Sequence, residues 1–99
     1  MKPDFHFLIY RSAGEEVSVG AVVKDESIWL TPKAMAELFQ VEVPAISKHL
    51  ANTFAEGELS FDLTVSKMEI VQQEGMRSVK RKVDFHNLDA VISVGYRVN

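Results

Sequence analysis

The 99-residue chain contains no cysteine, and this absence excludes disulfide bonds and thiolate chemistry. Its three prolines and five glycines are too few for a low-complexity or collagen-like sequence. No apolar run approaches the roughly 18 residues that would cross a bilayer, and the chain does not open with a signal peptide. With 46% hydrophobic and 25% charged residues, it is predicted to be a single cytoplasmic globular domain over residues 1–99, with no membrane partner.

The chain has only three histidines, and their positions predict neither a metal-binding site nor a catalytic site. His6, His49 and His86 stand far apart, without the spacing of a metal-binding motif. The acidic pair in residues 56–58 lies in a polar segment that marks no cleft for acid–base carboxylates. No glycine-rich phosphate-binding motif is present. We therefore expect no catalytic residues, no metal site and no cofactor, and we expect that the protein is not an enzyme.

The charge is unevenly distributed along the chain, whose net charge is −3. Residues 1–66 hold five Lys/Arg and ten Asp/Glu, whereas residues 67–99 hold six and four. Four of the eleven cations lie between Arg77 and Lys82. An acidic body with one basic segment is compatible with a nucleic-acid partner, whereas a uniformly acidic surface would not be.

Residues 31–56 have the pattern of a helix-turn-helix, the motif whose second helix enters the DNA major groove. Thr31 can cap the first helix, and Pro32 suits its first position. Gln40 falls at the turn, where a left-handed backbone usually favours glycine. The periodicity predicts that the buried positions are Met35, Ala36, Leu38, Phe39 and Val41, followed by Ile46, Leu50, Thr53 and Phe54, with His49 at the edge.

The outward face of the second helix carries few side chains suited to reading bases. Ser47, Lys48 and Asn52 can contact DNA there, and Lys33 of the first helix is expected near the DNA backbone. Glu42, just before the second helix, would repel phosphate. The sequence therefore also allows a second interpretation, in which the two helices only pack together within a protein-interaction or assembly module.

A basic β-hairpin is predicted over residues 64–85, with Glu74-Gly75 as its two-residue turn. In that register Ile70 faces Val79 and Lys67 faces Lys82. Such a hairpin after a helix-turn-helix resembles the wing of winged-helix proteins, and a merely solvated sheet face is the alternative. The alternation of side chains along its strands directs the lysines of the hairpin to solvent. Together with the candidates on the two helices, the predicted DNA-binding residues are Lys33, Ser47, Lys48, Asn52, Arg77, Lys80 and Lys82.

Strands and one further helix are predicted around these motifs. Three strands within residues 5–30 should form a small antiparallel sheet, with Trp29 and Leu30 anchoring it to the first helix. A last helix over residues 87–96 should begin at an Asn87 cap, and its Gly95 indicates close packing or an early stop. Its expected apolar face, which a second copy could cover to form a homodimer, consists of Leu88, Val91, Ile92 and Tyr96.

Several phrases of the sequence carry a resemblance to a known family. They are WLT, MAELF, ISKHL and EGEL between Trp29 and Leu59, and NLDAVISVGYRVN from Asn87 to Asn99. On these phrases the chain resembles the N-terminal region of the virulence-protein RhuM family. The resemblance implies a helix-turn-helix domain like those of phage and mobile-element proteins, and a chain that is the N-terminal part of a longer protein. Where that family carries polar residues between MAELF and ISKHL, this chain departs from it with Glu42-Val43-Pro44-Ala45.

The sequence thus predicts an α+β fold, namely a winged-helix-like helix-turn-helix with a small antiparallel sheet and a basic β-hairpin. The predicted function is a DNA-binding module that binds double-stranded DNA, as a transcriptional regulator of a mobile or virulence-associated element. The alternative function is a protein–protein interaction or assembly module with a degenerate helix-turn-helix.

Overall fold

The computed structural model describes residues 4–12 and 15–98, with side chains from residue 19 onward. Within these ranges the fold is α+β, as predicted, with two antiparallel sheets of order β1-β2-β3 and β4-β5. The elements are β1 (Asp4–Ser12), β2 (Glu15–Lys24), β3 (Ser27–Trp29), α1 (Pro32–Phe39), α2 (Val43–Ala55), α3 (Phe61–Thr64), β4 (Val65–Glu74), β5 (Arg77–His86) and α4 (Leu88–Arg97).

The first sheet presents both faces of β2 to apolar neighbours. Val19 and Ala21 are fully buried, whereas Val23, two residues further along the same side of the strand, is 40% exposed. Val22 is buried on the opposite face. The strand is therefore covered on two sides near its end, where simple alternation of buried and exposed positions no longer holds.

Helices α1 and α2 have the ends that the sequence predicts, and most of the predicted buried positions are buried, whereas Phe39, Val41 and Phe54 are only partly buried. The Thr31 hydroxyl accepts a hydrogen bond from the Ala34 amide at 3.0 Å, and Gln40 adopts the left-handed conformation with φ 56. Gly57, with φ 73, ends α2, where its amide donates to Phe54 and the next amide donates to Thr53, both at 3.1 Å. These two bonds define a Schellman motif. The buried residues of the two helices are Ala34, Met35, Ala36, Leu38, Ile46, Leu50 and Thr53.

Two apolar clusters divide the interior. Leu30 belongs to the larger one, which joins β2, α1, α2 and α4. Trp29 belongs to the smaller one, where it packs with Val22 and Phe85 of the hairpin. The prediction that Trp29 anchors the first helix was therefore wrong, because neighbouring residues of an extended chain point to opposite faces. Trp29 instead attaches the hairpin to the first sheet.

The hairpin is two residues out of the predicted register. Its turn consists of Gly75 and Met76, so that Glu74 faces Arg77 and Ile70 faces Arg81. Gly75 takes the positive φ of 65 at the first turn position, a conformation that a glutamate there would adopt only with strain. Because the shift is two, each side chain keeps its predicted face, but the cross-strand partners differ. The hairpin also runs to His86, and Thr64, predicted to open it, ends the short helix α3 instead.

Helix α4 leaves most of its predicted apolar face exposed and packs on the core with other residues. Asn87 caps it by accepting from the Ala90 amide at 3.2 Å, and Ala90, Val91 and Val94 are buried. Gly95 lies so close to α1 that a Cβ there would stand 3.2 Å from the Phe39 ring, which confirms close packing. The helix continues to Arg97, so the early stop was wrong. Of the predicted face only Val91 is buried, while the exposed fractions are 43% for Leu88, 49% for Ile92 and 82% for Tyr96.

Candidate nucleic-acid interface

The outward surface of α2 carries the polar residues selected from the sequence. Ile46 and Leu50 point into the core, and this orientation leaves Ser47, Lys48 and Asn52 exposed. The three lie at positions i, i+1 and i+5 of a helix with 3.6 residues per turn, and they therefore share one side of it. The Lys48 ammonium is at the surface and has no acidic partner within the described residues.

Lys33 lies at a different place from the other helical candidates. It is exposed near the start of α1 and lines an open groove of about 450 Å³ between α1 and the hairpin. Ile70, Val83 and Phe85 form the opposite wall, and Glu37 lies beside Lys33. The structure therefore places Lys33 next to the hairpin and not on the outward surface of α2.

The hairpin cations fall into two groups once the true register is known. Lys67 faces Asp84 and forms an ion pair with it at 3.2 Å, so the predicted Lys67–Lys82 pair was wrong. Arg81 donates two hydrogen bonds to Glu74, at 3.0 and 3.1 Å. The second group keeps its charge unpaired and consists of Arg77, Lys80 and Lys82, all exposed.

The same division holds for all cations whose side chains are described. Lys24, Lys67, Arg81 and Arg97 form ion pairs with nearby carboxylates. The remaining described cations form no ion pair with any described residue, and they are Lys33, Lys48, Arg77, Lys80 and Lys82. These are the five cations among the residues predicted from the sequence to bind DNA.

Acidic residues near α2 are mostly neutralised. The Arg97 guanidinium at the end of α4 lies 2.7 Å from Glu56 and 2.8 Å from Glu58. These hydrogen bonds, the one to Glu56 first, raise the pKa of Arg97 above its ordinary value. Glu42 stays exposed at the start of α2, where its side chain makes no cap hydrogen bond.

A backbone bridge joins the helical pair to the hairpin. The Leu30 amide donates to the His86 carbonyl at 2.9 Å, and the His86 amide donates to the Leu30 carbonyl at 2.8 Å. Leu30 directly precedes the cap of α1, and His86 ends β5. The helical pair and the hairpin are thus fixed to each other by two main-chain hydrogen bonds.

His86 is itself buried in this junction. Its ring stacks on Phe54 of α2, with ring centroids 6.2 Å apart, and its Nδ1 has no hydrogen-bond partner within the described residues. Burial lowers the pKa of His86 below its ordinary value of 6.5, and the nearby Asp84 carboxylate opposes this shift only in part. The neutral imidazole is therefore the form that suits the folded protein.

Sequence reasoning missed the residue at the hairpin tip and the ion pair of Arg97. Met76 was placed in a strand, but it occupies the turn and its side chain is 100% exposed. Glycine is favoured at either central position of a two-residue turn, so the sequence alone allowed both Glu74-Gly75 and Gly75-Met76. No comparable signal exists for Arg97, because its two carboxylate partners are about 40 residues away in the chain.

Two kinds of site do not occur in the described part of the chain. No group of three or more His, Asp or Glu side chains there is arranged to hold a metal ion. None of its helices combines the length and the apolar character needed to span a bilayer.

The fold and this surface define an α+β protein with a helical pair joined to a basic hairpin. Residues 63–99 match the model of the Virulence protein RhuM family, which confirms the resemblance seen in the sequence. The matched segment covers the hairpin and α4, including the phrase that begins at Asn87, whereas the phrases of the helix-turn-helix lie outside it. No curated protein and no solved structure matched the chain.

Proposed function

We propose that this chain is a DNA-binding module in which α2 enters the major groove and the hairpin contacts the backbone beside it. One observation carries the proposal, namely that every described cation without an ion pair belongs to the surface of α1, α2 and the hairpin. Unpaired cations on a surface attract phosphate, and their binding releases the counterions condensed on DNA. A net negative charge is therefore no obstacle to the proposal.

The connection between the elements gives further support. Leu30 pairs with His86 on the second hairpin strand, and α1, α2 and the hairpin follow Leu30 in that order. A winged-helix domain has the same order of strand, helix, helix and hairpin. In such an arrangement the second helix and the hairpin approach the duplex together.

Within this proposal the side chains of α2 have different roles. Lys48 supplies charge, whereas Ser47 and Asn52 can donate and accept hydrogen bonds at base edges. Lys33, Arg77, Lys80 and Lys82 hold backbone phosphates, which positions the protein without reading the sequence. The proposal assigns no catalytic step, and it is consistent with a regulator of a mobile or virulence-associated element.

The test is equilibrium binding to a mixed-sequence DNA duplex over a range of salt concentrations. About four phosphate contacts per chain predict that log affinity falls with log salt with a slope of about −4. Lys80→Ala/Lys82→Ala should weaken binding at every sequence and reduce the slope by about 2. Lys48→Ala should weaken binding as well.

The matched control exchanges a hairpin pair that is already neutral. Lys67→Gln/Asp84→Asn removes one cation and one anion that contact each other at 3.2 Å, so binding should stay at the wild-type level. Failure of the wild type to bind at low salt would refute the DNA-binding proposal and favour an assembly role. A hairpin variant that binds like the wild type would refute the role of the hairpin alone.

We also propose that two chains associate through α4. Leu88, Ile92 and Tyr96 recur every four residues on one exposed side of this helix, and Leu63 near its start is 78% exposed. The Asn87 side-chain amide donates to the Leu63 carbonyl at 3.5 Å, which places α3 beside the start of α4. An apolar stripe on a helix is typical of a surface that a partner covers.

Sedimentation velocity tests this association. The wild type should sediment as a dimer at micromolar concentration, and Ile92→Glu/Tyr96→Glu should shift it to monomer. Val71→Glu, an exposed apolar position on the hairpin, serves as the control and should leave the dimer intact. A wild type that stays monomeric would refute the dimer without touching the DNA-binding proposal.

A further inference from the structure

The outer half of the hairpin stands apart from the rest of the molecule. Met68, Ile70, Val83 and Phe85 pack on the first sheet, and beyond them the exposed residues dominate. We call residues 71–82 the arm, since all of them are exposed except the half-buried Val79. At about 3.3 Å per residue, the arm extends roughly 17 Å past Ile70.

An apolar side chain occupies the end of this arm. Met76 is the second residue of the two-residue turn and is 100% exposed, whereas Gly75 before it takes a positive φ of 65. Arg77 follows directly and has no ion pair with any described residue. The tip thus combines a flexible thioether with an adjacent free cation.

Side-chain hydrogen bonds brace the tip on both faces of the hairpin. On one face Ser78 donates to the Gln73 side chain at 3.1 Å, and the Gln73 amide donates to the Gly75 carbonyl at 3.1 Å. On the other face Arg81 holds Glu74 through two bonds at 3.0 and 3.1 Å. Met76 is therefore held at the end of a stiff arm, and the acid nearest to it is neutralised.

We propose that Met76 is an apolar wedge that enters the minor groove and partly unstacks one base step, while Arg77 and Lys80 hold the phosphates on either side. This inference rests on the proposed DNA-binding function. Methionine is among the residues that proteins insert between base pairs to kink DNA from the minor groove. The groove is about 6 Å wide, which admits the narrow end of a two-stranded hairpin but not a helix.

The experiment measures binding and DNA distortion on the same duplex. A mixed-sequence duplex carries 2-aminopurine beside its flexible TA and CA steps, and a fluorophore pair marks its ends. Saturating wild-type protein should raise the 2-aminopurine fluorescence and shorten the end-to-end distance. Met76→Ala should lose both signals while keeping its salt slope, because no charge is removed.

Two variants complete the design. Met76→Leu keeps an apolar wedge and should retain the signals, and Val71→Ala removes an apolar group from the side of the arm and should retain them too. Met76 is fully exposed, so equal thermal unfolding of all variants is expected and excludes misfolding as the cause.

The outcomes separate the two proposals. Wild-type binding without a 2-aminopurine or distance change overturns the wedge and leaves DNA binding standing. The same holds if Met76→Ala distorts the duplex as the wild type does. Absence of binding by the wild type overturns both proposals.

Discussion

Leu50 is the side chain on which the orientation of α2 depends. It is 5% exposed and belongs to the larger apolar cluster. Leu50→Ala should lower the free energy of unfolding by about 2–5 kcal/mol, because it leaves a cavity in a packed interior. Urea unfolding measures this loss, and Asn52→Ala, an exposed change in the same helix, is the control. A loss below about 1 kcal/mol would mean that the buried face of α2 is misplaced.

His86 makes the stability of the junction depend on pH. Its pKa in the folded protein lies below the ordinary value of 6.5, so the unfolded chain binds the proton more readily. The free energy of unfolding should therefore fall as the pH drops through 6.5. The fall should end once the pH lies below the pKa of His86 in the folded protein. Urea unfolding at several pH values from about 7 to about 5 measures this loss.

His86→Phe is the matched variant for this prediction. Phenylalanine keeps an aromatic ring beside Phe54 and removes the titrating group, and His6 and His49 remain in both proteins. The decline in stability between about pH 7 and pH 5 should be shallower in the variant. An unchanged decline would assign the pH dependence to other groups.

Single residues show how far the sequence could define the candidate surface. Exposure of Lys48 and Asn52 followed from the helical period, which fixes the side of a helix that faces the core. Whether a cation is paired did not follow, because Lys67 meets Asp84 only in the true hairpin register. The charge pattern that carries the proposed function therefore required the structure.

At the level of elements, the helix caps were predicted correctly, whereas the hairpin turn was not. Thr31 and Asn87 marked two helix starts because a cap needs only a side-chain oxygen and a nearby amide. The sequence identified the exposed apolar side of α4 but not the side that packs on the core, because the helix is apolar on more than one side. Ala90, with its small side chain, and Gly95, which has none, allow the helix to approach its neighbours closely. A pattern of hydrophobic residues does not reveal this effect of size.

The turn between β2 and β3 offers an element-scale prediction. Asp25 and Glu26 both take positive φ, 51 and 59, as the two central residues of a type I′ turn do. Glu26→Gly creates the preferred Asp-Gly pair and should raise the free energy of unfolding by about 0.5–1 kcal/mol. Thermal or urea unfolding measures the gain. Glu26→Ala, which keeps the strain, should show no such gain, and an equal gain in both variants would contradict the explanation.

Electrostatics act at the scale of the whole molecule through Arg97. This residue neutralises Glu56 and Glu58 at the end of α2 without belonging to the proposed DNA surface. Arg97→Gln should therefore weaken DNA binding at low salt, and the difference should shrink as salt screens the freed carboxylates. Binding titrations at two salt concentrations measure the effect.

The control for this prediction restores neutrality without restoring the guanidinium. Adding Glu56→Gln and Glu58→Gln to Arg97→Gln should return the affinity toward the wild-type level. A single variant that binds like the wild type at low salt would place the two carboxylates too far from the DNA to matter. Thermal unfolding of each variant separates this effect from a loss of structure.

The Leu30–His86 bridge makes the position of the helical pair relative to the hairpin independent of the side chains on the outer surface of α2. Because main-chain atoms form both of its hydrogen bonds, the spacing between α2 and the hairpin does not depend on which side chains the outer surface of α2 presents. Substitutions at Ser47, Lys48 and Asn52 can thus change the DNA sequence that the protein binds while the relative position of α2 and the hairpin is preserved. Under the proposed function, altered specificity could be reached by a few surface replacements on an unchanged frame.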